Sequence, residues 1–203
     1  MNLLHIDAAI TGGNSVTKQI SAAIVEAVRK AHPGINVTHR DLDADPIPHL
    51  DSASIAKLGG GANPSVDDAE AQRNLKLVDE FLAADIIVVG APMYNFSISS
   101  QLKAWIDRIA VAGKTFRYGE TGAVGLAGGK KVYVASARGG IYSQGPAAAV
   151  DFQEPFLRQV FAFVGIDDVT FIRAEGVAYG PDHRQAALES AVADAAGVLA
   201  LAA

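Results

Sequence analysis

Five short apolar runs alternate with longer stretches in which apolar residues recur every three or four positions, and this alternation sets the expected architecture. Leu3, Leu4 and Ile6 form the first run, which ends at Asp7. Ile20, Ala23, Ile24, Ala27, Val28 and Ala31 then keep helical spacing until Pro33-Gly34 breaks it. Ile35 to Leu42 reads as a second strand, with Val37 between polar neighbours and therefore nearer a sheet edge. A long connection follows, broken by Pro46, Pro48, Gly59, Gly60, Gly61 and Pro64, with a short helix expected around Ser54 to Leu58. An acidic cap at Ser65 to Asp68 opens a helix to about Ala83, with Leu75, Val78, Phe81 and Leu82 facing inward.

Ile86 to Val89 is an unbroken β-branched run, the pattern of a strand covered on both faces. It is predicted to end at Gly90, where Ala91-Pro92 fixes an extended turn because proline restricts both its own φ and its predecessor. Ser99 or Ser100 caps the next helix, which carries Leu102, Trp105, Ile106 and Ile109 and closes at Gly113. Phe116, Tyr118, Gly119 and Gly122 lie in a loop or hairpin before a strand at Lys131 to Ser136. A helix near Glu154 to Val164, a strand at Val169 to Ala174 and a helix from about Asp182 complete the chain. The pattern predicts a single α/β domain over residues 1–203, with five parallel strands and helices on both faces.

Composition narrows the class. Half of the 203 residues are apolar and 19% are charged, as in a folded globular protein. A net charge of -5 without a basic stripe gives no general attraction for nucleic acid. The absence of cysteine excludes disulfides, thiolate metal sites and thiol redox chemistry. No apolar run approaches the roughly 18 residues of a membrane span. The N-terminus reads as a strand rather than a signal peptide, so the expected compartment is the cytoplasm.

Three loops follow parallel strands and therefore open at one sheet edge, where ligands bind in such folds. In the first, Ser15, Val16 and Thr17 stand at a helix start, whose free N–H groups and dipole suit an anion. The plainer reading is that Ser15 merely caps its own helix. The stretch lacks the lysine of a phosphate-binding P-loop and the glycine spacing of a dinucleotide fingerprint. In the second loop, Met93, Tyr94, Asn95 and Phe96 offer a thioether, two aromatic rings and a carboxamide; the alternative is that they fold back on the core. In the third, Ser136, Arg138, Gly139 and Gly140 form a rim whose glycines let the backbone approach a ligand. A phosphate site, a flat apolar wall and a backbone rim together suit flavin mononucleotide (FMN). A flavodoxin-like doubly wound sheet, strand order 2-1-3-4-5, holds FMN at this switch point.

The residues also carry a family resemblance. Pro92 to Phe96 followed by Ser99 and Gln101-Leu102-Lys103, then Thr115 to Tyr118, Arg138-Gly139-Gly140 and Ala174 to Gly180, resemble the FMN-dependent NADH-azoreductases of the flavodoxin-like quinone reductase superfamily. The resemblance covers essentially the whole chain. It implies that Ser15, Val16 and Thr17 take the phosphate and ribityl end of FMN, that Met93 to Phe96 lie along its ring, and that Ser136 to Gly140 close over it. It implies NADH as reductant, quinone or azo acceptors, a ping-pong sequence, and a homodimer with FMN at the subunit interface. Tyr118, with Phe161 or Phe163, would wall the substrate pocket, although core packing is the plainer role for both phenylalanines. Tyr142 is the candidate proton donor, against the plainer reading of a surface tyrosine. Ala9 and Ala137 stand where the family more often has serine.

No metal is expected, since none of the five histidines (His5, His32, His39, His49, His183) pairs with another at helical i, i+4 spacing. Two other readings share the topology. An electron carrier of flavodoxin type would be shorter and more acidic, and a receiver domain would need acidic neighbours beside Asp7.

Overall fold

The apolar run at Ile86 becomes the middle strand of a sheet, where all seven of its residues are buried. The computed structural model describes residues 1–58 and 69–200. The strands are β1 (Asn2–Asp7), β2 (Asn36–Asp41), β3 (Ile86–Pro92), β4 (Phe116–Gly119), β5 (Gly122–Gly125), β6 (Lys131–Ala137) and β7 (Asp168–Ala174). The helices are α1 (Val16–Ala31), α2 (Ser52–Leu58), α3 (Ala69–Ala83), α4 (Ser100–Ile109), α5 (Glu154–Phe163) and α6 (Pro181–Ala200).

Five strands pair in parallel in the order β2-β1-β3-β6-β7. Leaving out the β4–β5 hairpin, that is the expected 2-1-3-4-5. Val37 does lie on an edge strand. One face of the sheet packs Ile20, Ile24 and Val28 of α1 and Ala191 and Ala195 of α6 against Leu3, Val88 and Tyr133. The other packs Phe81 of α3, Trp105 of α4 and Leu157 and Phe161 of α5 against Leu4, Ile6, Ile87 and Val134. Phe81 and Trp105 meet edge to face at 6.0 Å.

Two expectations change in detail, and two open alternatives are resolved. β3 continues past Gly90 to Pro92, because Gly90 and Ala91 still pair with Ala135 and Ser136 and only the proline lacks an N–H to give. In α3 it is Leu77, rather than Leu75, that joins Val78 and Phe81 in the core. Phe116 to Gly125 forms an antiparallel hairpin. The hairpin seats on the end of α5 by backbone contact: a Cβ at Gly125 would fall 2.1 Å from the Gly165 nitrogen, so only glycine fits. Ser99, of the two candidates, caps α4 by accepting the Leu102 N–H. The expected breakers at Gly59 to Pro64 and the cap at Ser65 to Asp68 lie outside the described residues.

Candidate active site

Parallel register brings three strand ends level. Asp7 of β1 pairs with Gly90 of β3, and Pro92 of β3 pairs with Ala137 of β6, so the loops after them leave from one edge. After β1 the chain makes a 3-10 turn at Gly12–Asn14 and enters α1 through Ser15. Ser15 accepts the Lys18 N–H on its hydroxyl and meets the Thr17 hydroxyl at 3.0 Å. The capping role is therefore real, and it leaves the helix's own first N–H groups free to face the cleft. Those of Val16 and Thr17 find no acceptor among the described residues.

After β3 the chain turns back on itself. Tyr94 N–H donates to Ser97 O at 2.8 Å and Ser97 N–H to Tyr94 O at 3.1 Å, enclosing Asn95 and Phe96. Both enclosed residues have positive φ, 49° for Asn95 and 71° for Phe96, as a primed two-residue hairpin turn requires. Asparagine tolerates that region; a phenylalanine there is strained, by on the order of 1 kcal/mol or more. The turn leaves the Phe96 ring 48% exposed, where it meets Tyr142 edge to face at 6.3 Å.

The third loop rests on a buried charge network. Arg138, with a fully buried side chain, is engaged by Asp151 (3.1 Å), Glu154 and Glu175 (3.2 Å) and by the Ser136 hydroxyl (3.1 Å). Ser136 in turn donates to Gln153, which donates to Ala91 O. Both side chains thus point beneath the loop instead of closing over a ligand, because a buried guanidinium must be surrounded by acceptors. What faces outward is backbone at Gly139 and Gly140. Glu175 fastens the loop by accepting the N–H groups of Tyr142 and Ser143. Burial pushes the Glu175 carboxyl up, but the Ser143 hydroxyl, the backbone donors and the Arg138 charge outweigh it and hold it below its ordinary value.

Two clefts share the wall made by Met93 and Tyr94. One, of about 360 Å³, runs from Ser15, Val16 and Thr17 past Met93 and Tyr94 to Ala137 and Gly139. The other, of about 780 Å³, is bounded by Ile10, Asn95, the start of α4 and Phe156. Together they form a groove with helix N–H groups at one end and an aromatic wall beyond.

Residues 1–199 match a family described by its flavodoxin-like fold. This chain belongs to that family. It is 57% identical over 193 residues to the FMN-dependent NADH:quinone oxidoreductase of Stenotrophomonas maltophilia, covering 95% of this chain and 93% of the relative. An azoreductase structure from Bacillus anthracis superposes with a TM-score of 0.88 at 30% identity, covering 98% of each chain. The FMN-dependent NADH-azoreductase of Bacillus anthracis, solved in complex with FMN, gives 0.86 at 27% identity over 100% of this chain and 99% of that one.

Within this flavodoxin-like chain the other expected site residues separate. Tyr142 stands at the rim beside Phe96 and Gly140. Tyr118 is 76% exposed on the hairpin and lines neither cleft. Phe163 packs on Phe116 at 4.5 Å. Phe161 is 1% exposed in the core, so it is no pocket wall: it sits on the face of α5 that covers the sheet. One residue was missed. Arg184, in the first turn of α6, lines the α1 end of the smaller cleft and donates to Asn14 O. It lies far along the chain from that loop, and nothing in its local sequence announces the contact.

Proposed function

We propose that this chain is an FMN-dependent NADH:quinone oxidoreductase that also reduces azo compounds, working as a homodimer in the cytoplasm. The carrying observation is the groove in which unpaired Val16 and Thr17 N–H groups and Arg184 face the Met93–Phe96 turn. The residues present fit FMN. A phosphate dianion matches two orphan helix donors and a guanidinium, and a flat ring matches Met93, Tyr94 and the Gly139–Gly140 backbone.

FMN, when bound, supplies the hydride-transfer chemistry. The chain's own part is positioning. Val16, Thr17 and Arg184 hold the phosphate, with the Ser15 cap keeping the first turn of α1 in place. The primed turn would set the Tyr94 and Asn95 side chains beside the ring, and backbone N–H groups near Asn95 and Gly140 would offset negative charge there. One flat surface serves reductant and acceptor in turn, giving a ping-pong sequence. Tyr142 gives a proton to the reduced acceptor, a role supported by its position at the rim next to Phe96. Ala9 withholds one hydroxyl from the phosphate, and about 1 kcal/mol for that lost bond weakens FMN without abolishing it; Ala137 leaves no side-chain hydrogen bond at its position.

A homodimer gives the exposed rings a purpose. Phe96, Tyr118, Phe152 and Tyr179 are each about half exposed or more, an apolar load better placed against a second subunit. Tyr118 then serves the partner's site. The electron-carrier reading is less well supported, since the similar proteins are named as enzymes.

The test is the purified protein itself. It should be yellow, bleach when NADH is added anaerobically, and oxidise NADH continuously only with quinone or azo dye, with parallel double-reciprocal lines. NADH should exceed NADPH in kcat/KM, and the protein should elute as a dimer. A colourless chain that takes up no FMN overturns the reading.

A further inference from the structure

We propose that His5, Asp7 and His39 hold a first-row divalent metal ion of the Zn2+ class. Helical spacing gave no hint of this site, because sheet register creates it. His5 of β1 lies directly opposite His39 of β2 in the parallel pairing. Asp7 lies two residues further along β1 and so on the same face. His39 Nε2 stands 3.0 Å from Asp7 Oδ2, and His5 Nε2 stands 3.4 Å from Asp7 Oδ1. One ligand atom from each of the three groups lies within 4.8 Å of the others. Tetrahedral bonds of about 2.0 to 2.1 Å require neighbouring ligand atoms roughly 3.3 Å apart; each imidazole nitrogen already stands near that distance from its own carboxylate oxygen, Oδ2 for His39 and Oδ1 for His5.

A second, independent observation points to a ligand. His5 is only 8% exposed, yet its Nε2 has no hydrogen-bond partner; its approach to Asp7 lacks the alignment of a bond. Buried polar atoms are almost always satisfied, so an orphan aimed at a carboxylate and a second imidazole calls for an explanation. The two rings are stacked, centroids 4.4 Å apart and 26° from parallel, and both Nε2 atoms lie beside the same carboxylate; the His39 ring has to swing for the two lone pairs to meet at one ion. An ion among the three satisfies the His5 nitrogen and takes the place of the hydrogen bond between His39 and Asp7.

The surroundings fit. Ser21 of α1 donates to Asp7 Oδ1 at 2.8 Å, the outer contact that orients a ligating carboxylate. The neighbouring cation, Lys18, is drawn away to Asp41 at 2.6 Å. The His39 side chain is 50% exposed, which opens an entry path, lets its ring swing to widen the bite, and leaves room for a water as fourth ligand. Two imidazoles with one carboxylate select Zn2+ and its neighbours over Mg2+ and Ca2+, which prefer all-oxygen shells.

Metal-stripped, FMN-loaded protein titrated with ZnCl2 in a calorimeter tests the proposal. One equivalent should bind, MgCl2 should give no heat, and the Tm should rise with Zn2+. His39→Ala, at a half-exposed position, should keep the fold by circular dichroism and weaken Zn2+ by about tenfold or more. His5→Gln should do the same, with folding checked in the same way. Absence of Zn2+ binding, or binding unchanged in His39→Ala, overturns the proposal.

Discussion

Tyr94 Oη accepts the backbone N–H of Ile10 at 3.2 Å, joining the turn beyond β3 to the loop beyond β1. The two walls of the smaller cleft are thereby tied to each other by one phenol. Tyr94→Phe keeps the ring and removes this bond. With a single hydrogen bond contributing about 1 kcal/mol, FMN should bind roughly fivefold more weakly while the fold is unchanged. Fluorescence titration of the stripped protein with FMN measures this, and an unaltered Kd would show that the tie is incidental.

Phe96 is held at a φ of 71° that suits glycine far better. Phe96→Gly should therefore raise stability to urea by about 1 kcal/mol while lowering quinone reductase activity. Loss of both would mean that the ring's packing on Tyr142 outweighs the backbone strain.

Arg184 gives a test of whether phosphate and ring are recognised separately. Arg184→Ala should weaken FMN by about tenfold and leave riboflavin, which has no phosphate, unchanged. The FMN difference should also shrink as salt is raised. Equal losses for both ligands would place the arginine's effect in the loop's shape instead.

Gly90 faces the Asp7 carboxylate so closely that a Cβ there would lie 2.7 Å from Oδ1. Gly90→Ala should cost about 1 to 3 kcal/mol in urea unfolding, because Asp7 is pinned by Ser21 and has little room to retreat. A neutral result would show that this corner of the sheet is loosely packed.

Glu175 carries the acid sensitivity of the third loop. Its carboxyl is held below the ordinary 4.5, so its contribution to stability is complete above that value and is lost as the pH falls through the folded-state value. Wild type should exceed Glu175→Gln in stability near neutrality, and the gap should close under acid. A gap that persists at low pH would show that the neutral acid and the amide differ for another reason.

How much of this was legible in the chain follows from the range of the forces involved. Periodicity gave β3, α1 and the alternation that leads to a five-stranded sheet, because burial on one or two faces writes its period directly into neighbouring residues. The Ser15 and Ser99 caps are similarly local, as is the backbone rim at Gly139. The sequence motifs likewise announced a turn at Met93–Phe96, though not the sign of φ at Phe96, which depends on the strand geometry on either side. Arg138 looked like a ligand-facing residue because the chain does not reveal that Asp151, Glu154 and Glu175 converge on it. Phe161 kept its helical spacing but not its direction, and Arg184 reaches the phosphate loop only because α6 packs beside α1. His5 and His39 are strangers in sequence and opposite neighbours in the sheet. Local order is fixed by residues that touch along the chain; long-range pairing of charges and ligands is fixed by strand register and helix packing, which only the folded molecule possesses.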